Sequence, residues 1–444
     1  MRKQQRTGFG FPSIRSGDLS KKIFFVIFIL IMYRIGTYIP LPGVNLIVLD
    51  DIVQARAKGI LGMFNVLTGG ALGRMSIFTL NIMPYITASI IMQLLSVVSK
   101  EFSELRKSGE LGRQKINQYS KYLAVVLALF QGYGIAIGIE ALSHNGIFLI
   151  NNPGIYFRIV AMFSLMGGTV IVIWFADQIN LKGIGNGSSI IIFAGIVSGL
   201  LPAISSLLEM GKNNIVSTQF LIFCFIVVIS MVLFIVFMEK AHRKLLVQYP
   251  RKQVGRKIYA GDSTHLPIKI NISGVIPPIF ASAILLFPTT IIGFSGGQGV
   301  SGWEKFIANY LSQGKPLYLA LYVVFIMFFC FFYSAIIFNP DETAENLRKN
   351  GAVIIGRRPG KQTQDYLQFV LTRITVIGAT YIAMICAIPE IFTSQFNMPF
   401  YLGGTSLLIV ISVVLDLTSQ IQSHMLSSRY ASLMKQASIM RRRK

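Results

Sequence analysis

Charge is scarce in this chain. Of its 444 residues only 13% are Asp, Glu, Lys or Arg, about half the roughly 25% of a soluble domain. With 53% apolar residues and a mean hydropathy of +0.61, a soluble enzyme is excluded, although the length would hold two or three soluble domains. Acidic residues are the scarcer of the charged kinds, 18 against 41 Lys and Arg, a formal +23. In a soluble protein that imbalance would point to nucleic acid.

Reactive and metal-binding side chains are also few. Cys224, Cys330 and Cys386 fall one each in three apolar runs without paired spacing. That excludes a disulfide framework or a zinc site and leaves small buried hydrophobes. His144, His242, His265 and His424 are scattered, none with a second ligand at helical spacing, so no metal and no cofactor is expected. Nucleotide loops fail on their spacing. Residues 356–363 put three residues between two glycines where a phosphate loop needs four, with Gln362 in place of the hydroxyl residue; residues 183–189 are glycine-rich but lack lysine. No enzymatic activity is expected, and any ATP or GTP must be hydrolysed by a partner.

Long uncharged runs are what the chain has in abundance: 75–98, 122–139, 159–176, 184–208, 215–238, 270–294 and 316–338. Each is close to the 17–25 residues a helix needs to cross the hydrocarbon core. Three more qualify with one charge, 23–41 around Arg34, 367–389 around Arg373 and 400–422 around Asp416. The expectation is an all-α polytopic membrane protein with ten transmembrane helices. No small-residue cleavage site follows the first apolar run, so no cleaved leader is expected.

An even number of spans puts both termini on one side. Thirty-two of the 41 basic residues fall in the termini and connections of that side and six on the other, with Arg34, Arg158 and Arg373 at or inside spans. Basic connections stay cytoplasmic, which predicts cytoplasmic termini in a cytoplasmic membrane. Thirteen of the 32 crowd onto two loops, 239–269 and 339–366, longer and more basic than topology alone requires.

Three segments are unusual. Residues 59–73 are apolar but short, with five glycines, which suits a re-entrant piece as well as an ordinary outer loop. The run 75–98 places Pro84 well inside an expected helix, with Ile82 and Ile86 on one face and Asn81, Thr87 and Gln93 as polar groups unwelcome against lipid. Residues 271–288 hold Pro277, Pro278 and Pro288 with Asn271 and two serines. Broken helices tolerate such residues where they line a cavity or pack in the interior. A secondary transporter would also have broken helices, but it needs ionisable groups near the midplane, and only Arg34 and Asp416 lie well inside spans.

Several short motifs together resemble the SecY/Sec61-alpha family of protein-conducting channel subunits, in its bacterial type. They are Met83-Pro84-Tyr85-Ile86 with Gln93, Asp177-Gln178-Ile179 leading into Lys182-Gly183-Ile184-Gly185-Asn186-Gly187-Ser188, and the run from Arg34 through Pro40 and Pro42 to Gly43. Further matches are Ser263 to Pro267, Phe338-Asn339-Pro340 with Glu342, Arg358-Pro359-Gly360, and Gly403 to Val410. Asn81 stands where the family pattern usually has glycine.

The resemblance implies a fold of two pseudo-symmetric halves, 23–210 and 211–424, between a cytoplasmic segment 1–22 and a basic tail 425–444. Around their central pore it implies a constriction of Ile82, Ile86, Ile192, Ile279 and Ile409. A plug at 59–74 would contain Gly62, Met63, Phe64, Asn65, Val66, Leu67, Thr68, Gly69 and Gly70. A sideways gate between the second and seventh spans would use Thr87, Gln93, Gln131, Asn271 and Phe287. Docking of the SecA ATPase or the ribosome would fall to Arg243, Lys244, Arg251, Arg256, Lys257, Arg357 and Arg358. Implied partners are SecE-type and SecG-type membrane subunits, signal peptides and nascent chains, and membrane lipid. The implied function is translocation of unfolded secretory proteins and lateral release of membrane proteins.

Overall fold

Each of the ten apolar segments contains a helix. The computed structural model describes residues 16–45, 70–71, 73–140, 143–144, 147–148, 150, 153–212, 217–249, 252–254, 257–259, 263–294, 315–396 and 403–442. The helices are α1 (Ser16–Gly36), α2 (Met83–Val98), α3 (Lys100–Lys107), α4 (Glu110–Glu140), α5 (Ile155–Lys182), α6 (Gly187–Lys212), α7 (Thr218–Lys240), α8 (Ile276–Phe294), α9 (Pro316–Ile337), α10 (Pro340–Lys349), α11 (Lys361–Phe396) and α12 (Gly404–Arg442). Among the described residues seven are long and apolar enough to cross a bilayer, and an eighth if α2 and α3, bent 101° apart, are taken together.

Small residues set how closely these helices approach. Along α4, Ala124, Ala128, Gly132 and Ala136 recur at four-residue spacing and are all buried, which gives α4 a shallow face for α2 and α5, its most extensive neighbours. A methyl group on Gly187 would lie 2.0 Å from the Ala176 carbonyl oxygen, and one on Gly404 would lie 1.9 Å from that of Ile385. Those contacts seat α6 on α5 and α12 on α11. In contrast, α7 turns Ile222, Ile226, Ile229, Leu233 and Phe237 outward, the pattern expected of a lipid-facing helix.

The second span departs from the expected continuous helix. Residues 73–82 are a series of turns, and α2 begins only at Met83 with Pro84 in its first turn. Proline is well suited there, because the first turn has no intrahelical use for the missing N–H. Pro277 and Pro278 likewise occupy the start of α8 rather than a helix interior. Turns at membrane depth need other bonding partners. The amide of Leu41 donates to the Met75 carbonyl at 2.8 Å, that of Ile77 to Ile39 at 3.0 Å, and that of Asn81 to Phe78 at 2.9 Å.

The two long basic loops are not purely loops. Strands β3 (His242–Gln248), β6 (Ser263–Lys269) and β7 (Val353–Ile354) form one antiparallel sheet in the order β6-β3-β7, with His242 opposite Lys269 and Val247 opposite Ile354; four shorter strands make two hairpins, β1 (Ser143–His144) with β2 (Ile147–Phe148) and β4 (Lys252–Val254) with β5 (Lys257–Tyr259). The sheet buries Leu245, Val247, Ile268 and Ile354 against Ala344, Leu367 and Val370. The loops 239–269 and 339–366 therefore fold as one body.

Candidate functional site

Four local structures aim isoleucines at one place. Ile82 precedes the first residue of α2, and its carbonyl accepts from the amides of Tyr85 and Ile86, both at 3.1 Å. The head of α6 is held by Asn180, whose Oδ1 accepts from the Gly187 amide at 2.8 Å, and by Asn186, whose Oδ1 accepts from the Ser188 amide and hydroxyl. Ile192 lies one turn further on. Before α8, the Asn271 Oδ1 accepts from the Gly274 amide at 3.0 Å while its Nδ2 donates to Glu239 at 2.6 Å, which fixes the approach to Ile279. The close seating of Gly404 on α11 positions Ile409 in the second turn of α12.

The result is a single apolar cluster in which Ile82, Ile192 and Ile409 are buried and Ile86 and Ile279 are half-buried. A cavity of about 330 Å3 lies on one side of it, its walls including Ile86, Ile192, Ile279 and Ile409. A second, of about 20 Å3, is lined by Asn81, Met83, Ser282, Thr405 and again Ile192, Ile279 and Ile409. Three of the isoleucines thus form an apolar partition shared by two cavities. β-Branched side chains make a stiff partition because one rotamer dominates in a helix.

The polar residues expected at the sideways seam bond elsewhere. Thr87 donates to the Met83 carbonyl of its own helix at 3.1 Å. Gln93 lines the same cavity as Tyr333 of α9, and Asn271 is engaged by Glu239 and Gly274. Gln131 is half-buried on α4; the side chain of Phe287 lies outside the described residues. Between α2 and α8 the contact is apolar, with Ile86, Ile90 and Ile276 packed on Phe280, Phe329 and Tyr333.

Of the plug segment, Gly62, Met63, Phe64, Asn65, Val66, Leu67, Thr68 and Gly69 lie outside the described residues. Gly70 takes a left-handed φ of 85°. Among the basic residues, Arg243 and Lys244 are exposed on β3, and Arg357 and Arg358 are exposed after β7. Arg357 stacks over Tyr366 with its guanidinium carbon 5.2 Å from the ring centre. Lys257 lies on β5, its side chain undescribed, and Arg251 and Arg256 fall outside the described residues. Among the described residues no three His, Cys, Asp or Glu are grouped to hold a metal ion.

Two contacts went unread in the sequence. Arg106 on α3 donates through Nη2 to the Ile336 carbonyl at the end of α9, 2.8 Å away and 230 residues along the chain. Lys121 on α4 pairs with Asp177 on α5. Neither has a local sequence signal, since each joins elements whose neighbourhood only the fold decides.

Comparison with known proteins bears directly on this arrangement. The SecY family model matches residues 76–418. A protein translocase subunit SecY of Rickettsia typhi is 52% identical over 428 residues, covering 96% of this chain and 98% of that protein. Among solved structures, one described as a protein conducting channel superposes with a TM-score of 0.67 at 18% identity, covering 94% of this chain and 96% of that one. Sec61 in the canine ribosome-channel complex from the endoplasmic reticulum gives 0.64 at 17%, covering 94% and 96%.

Proposed function

The chain belongs to the SecY family of protein translocase subunits, and on that premise we propose that its five converging isoleucines are the constriction of a pore that passes unfolded polypeptide. The chain is a multi-pass membrane protein and a channel subunit rather than an enzyme. The observation that carries the pore reading is the partition: Ile192, Ile279 and Ile409 sit in the walls of two separate cavities. A narrow apolar waist dewets and so leaks few ions. It also presents no hydrogen-bond demand to a passing chain, so substrates of varied sequence are accepted.

Around that waist, the halves 23–210 and 211–424 part at the seam between α2 and α8, releasing apolar segments into lipid. The glycine-rich segment 59–74 plugs the outer half at rest. The termini and the fused sheet of the two basic loops face the cytoplasm of the inner membrane, where Arg243, Lys244, Arg357 and Arg358 meet the motor or the ribosome. SecE-type and SecG-type subunits complete the complex. The ribosome as partner has support in the likeness to a ribosome-bound Sec61 channel; SecA rests on the family.

The test is reconstitution of the full chain with a SecE-type subunit and SecA in vesicles. Import of a signal-bearing preprotein should require ATP, and replacing Ile82 and Ile279 with serine should raise the resting ion conductance. A folded complex that imports nothing would overturn the SecA-driven reading in favour of ribosome-coupled insertion. Unchanged conductance would remove the two isoleucines from the ring.

A further inference from the structure

The larger cavity mixes apolar and polar walls. From α2 and α8 come Ile86, Ile90 and Phe280 beside the polar Ser89 and Gln93; from α5 and the head of α6 come Asp177, Asn180 and Asn186. Asp177 is the sole charged side chain among the lining residues. It is held by Lys121, whose Nζ donates to Oδ2 at 2.5 Å, and both side chains are about a third exposed, 34% and 29%. An ion pair with that much water access contributes little to stability and exchanges readily. Lys121 lies four residues from Asn117, whose Oδ1 accepts from the Tyr85 hydroxyl at 2.8 Å, so the pair borders the first turns of α2.

The neighbourhood makes an acid in the cavity wall conspicuous. By the distribution of charge, this end of the molecule carries 32 of the 41 Lys and Arg against 11 of the 18 Asp and Glu, and a cationic segment arriving there is repelled by most of what it meets. A secretory signal has just such a cationic end, followed by an apolar run of about 7–15 residues. Building on the function proposed above, we infer that Asp177 is the seat for the cationic end of the arriving signal, which displaces Lys121 while its apolar run lies along Ile86, Ile90 and Phe280. Lys121 keeps the seat neutral when no signal is present. The pair thus acts as a charge filter in front of the apolar seam.

Import into vesicles holding the full complex tests this with preproteins whose signals begin with lysines, glutamines or glutamates. Asp177→Asn should slow the lysine signal about two- to fivefold, the range of one partly exposed ion pair, and leave the glutamine signal unchanged. Lys121→Gln, which removes the competitor, should speed the lysine signal. Asp177→Lys should favour the glutamate signal over the lysine one. A merely structural pair would make Asp177→Asn and Lys121→Gln slow all three signals alike, and that result overturns the inference. Import by the unaltered complex that ignores end charge sinks this inference alone, whereas no import of any preprotein sinks the proposed function and this with it.

Discussion

Asn81 adopts φ 50°, the left-handed region that side chains other than glycine, asparagine and aspartate avoid. Asparagine is among the few residues that tolerate this turn, so the backbone sets the requirement at this position. The turn it makes delivers Ile82 to the apolar cluster and lets α2 start at Met83. Asn81→Gly should therefore preserve folding and transport. Asn81→Val, branched at Cβ, should lower stability by about 1–2 kcal/mol, read as an earlier thermal unfolding of the purified complex; equal stability of the two variants would mean the turn relaxes. The five isoleucines can be picked out by their motif positions on four spans, whereas the hydrogen bonds of Asn180, Asn186 and Asn271 and the close seating of Gly404 that bring them together are visible only in the fold. Pro84 misled, because an unbroken apolar run from 75 to 98 conceals where a helix begins.

At the scale of elements, the seam is fastened at one end by an unexpected neighbour. α2 and α3 meet at a sharp corner; before it Gln93 lines the same cavity as Tyr333, and beyond it Arg106 donates to the Ile336 carbonyl. Tyr333 and Ile336 lie three apart on one face of α9. The carbonyl is near the helix C-terminus, where partial negative charge gathers and favours a cation. A hydrogen bond from a charged donor contributes about 1.5–3 kcal/mol, enough to bias a seam otherwise closed by apolar contact. Arg106→Ala should make opening easier, so a preprotein with a weakened signal should be imported several-fold faster while a strong signal gains little. Equal rates for the weak signal in both proteins would show that the strap does not limit opening. Helices were readable from apolar length; this strap was not, because no spacing in the chain relates residue 106 to residue 336. The same holds for the sheet. His242–Gln248 has no apolar alternation in sequence, since Leu245, Leu246 and Val247 are consecutive, and its partners at Ser263–Lys269 and Val353–Ile354 are chosen by the fold.

For the whole molecule, the contrast between an apolar chain and a charge of +23 resolves into a membrane body with one basic face, and the sheet makes that face rigid. β7 pairs with the far end of β3, so Arg357 and Arg358 share a body with Arg243 and Lys244 although about a hundred residues separate them. The tip is shaped by Gly356 and Gly360, at φ 80° and 103°, and tied by Thr363, whose hydroxyl donates to the Arg358 carbonyl at 2.8 Å. Arg358 is thereby presented outward on a turn that cannot easily fold away. A guanidinium so placed suits phosphate oxygens or carboxylates. Arg358→Glu should leave membrane insertion of the subunit intact and abolish SecA-driven transport. If the residue also meets ribosomal RNA, binding of ribosomes to vesicles should weaken, and the slope of log affinity against log salt should flatten by about 0.7–0.9 for each phosphate no longer neutralised. Weaker binding with an unchanged slope would assign Arg358 to a protein surface instead, since only groups that release counterions from RNA carry that dependence.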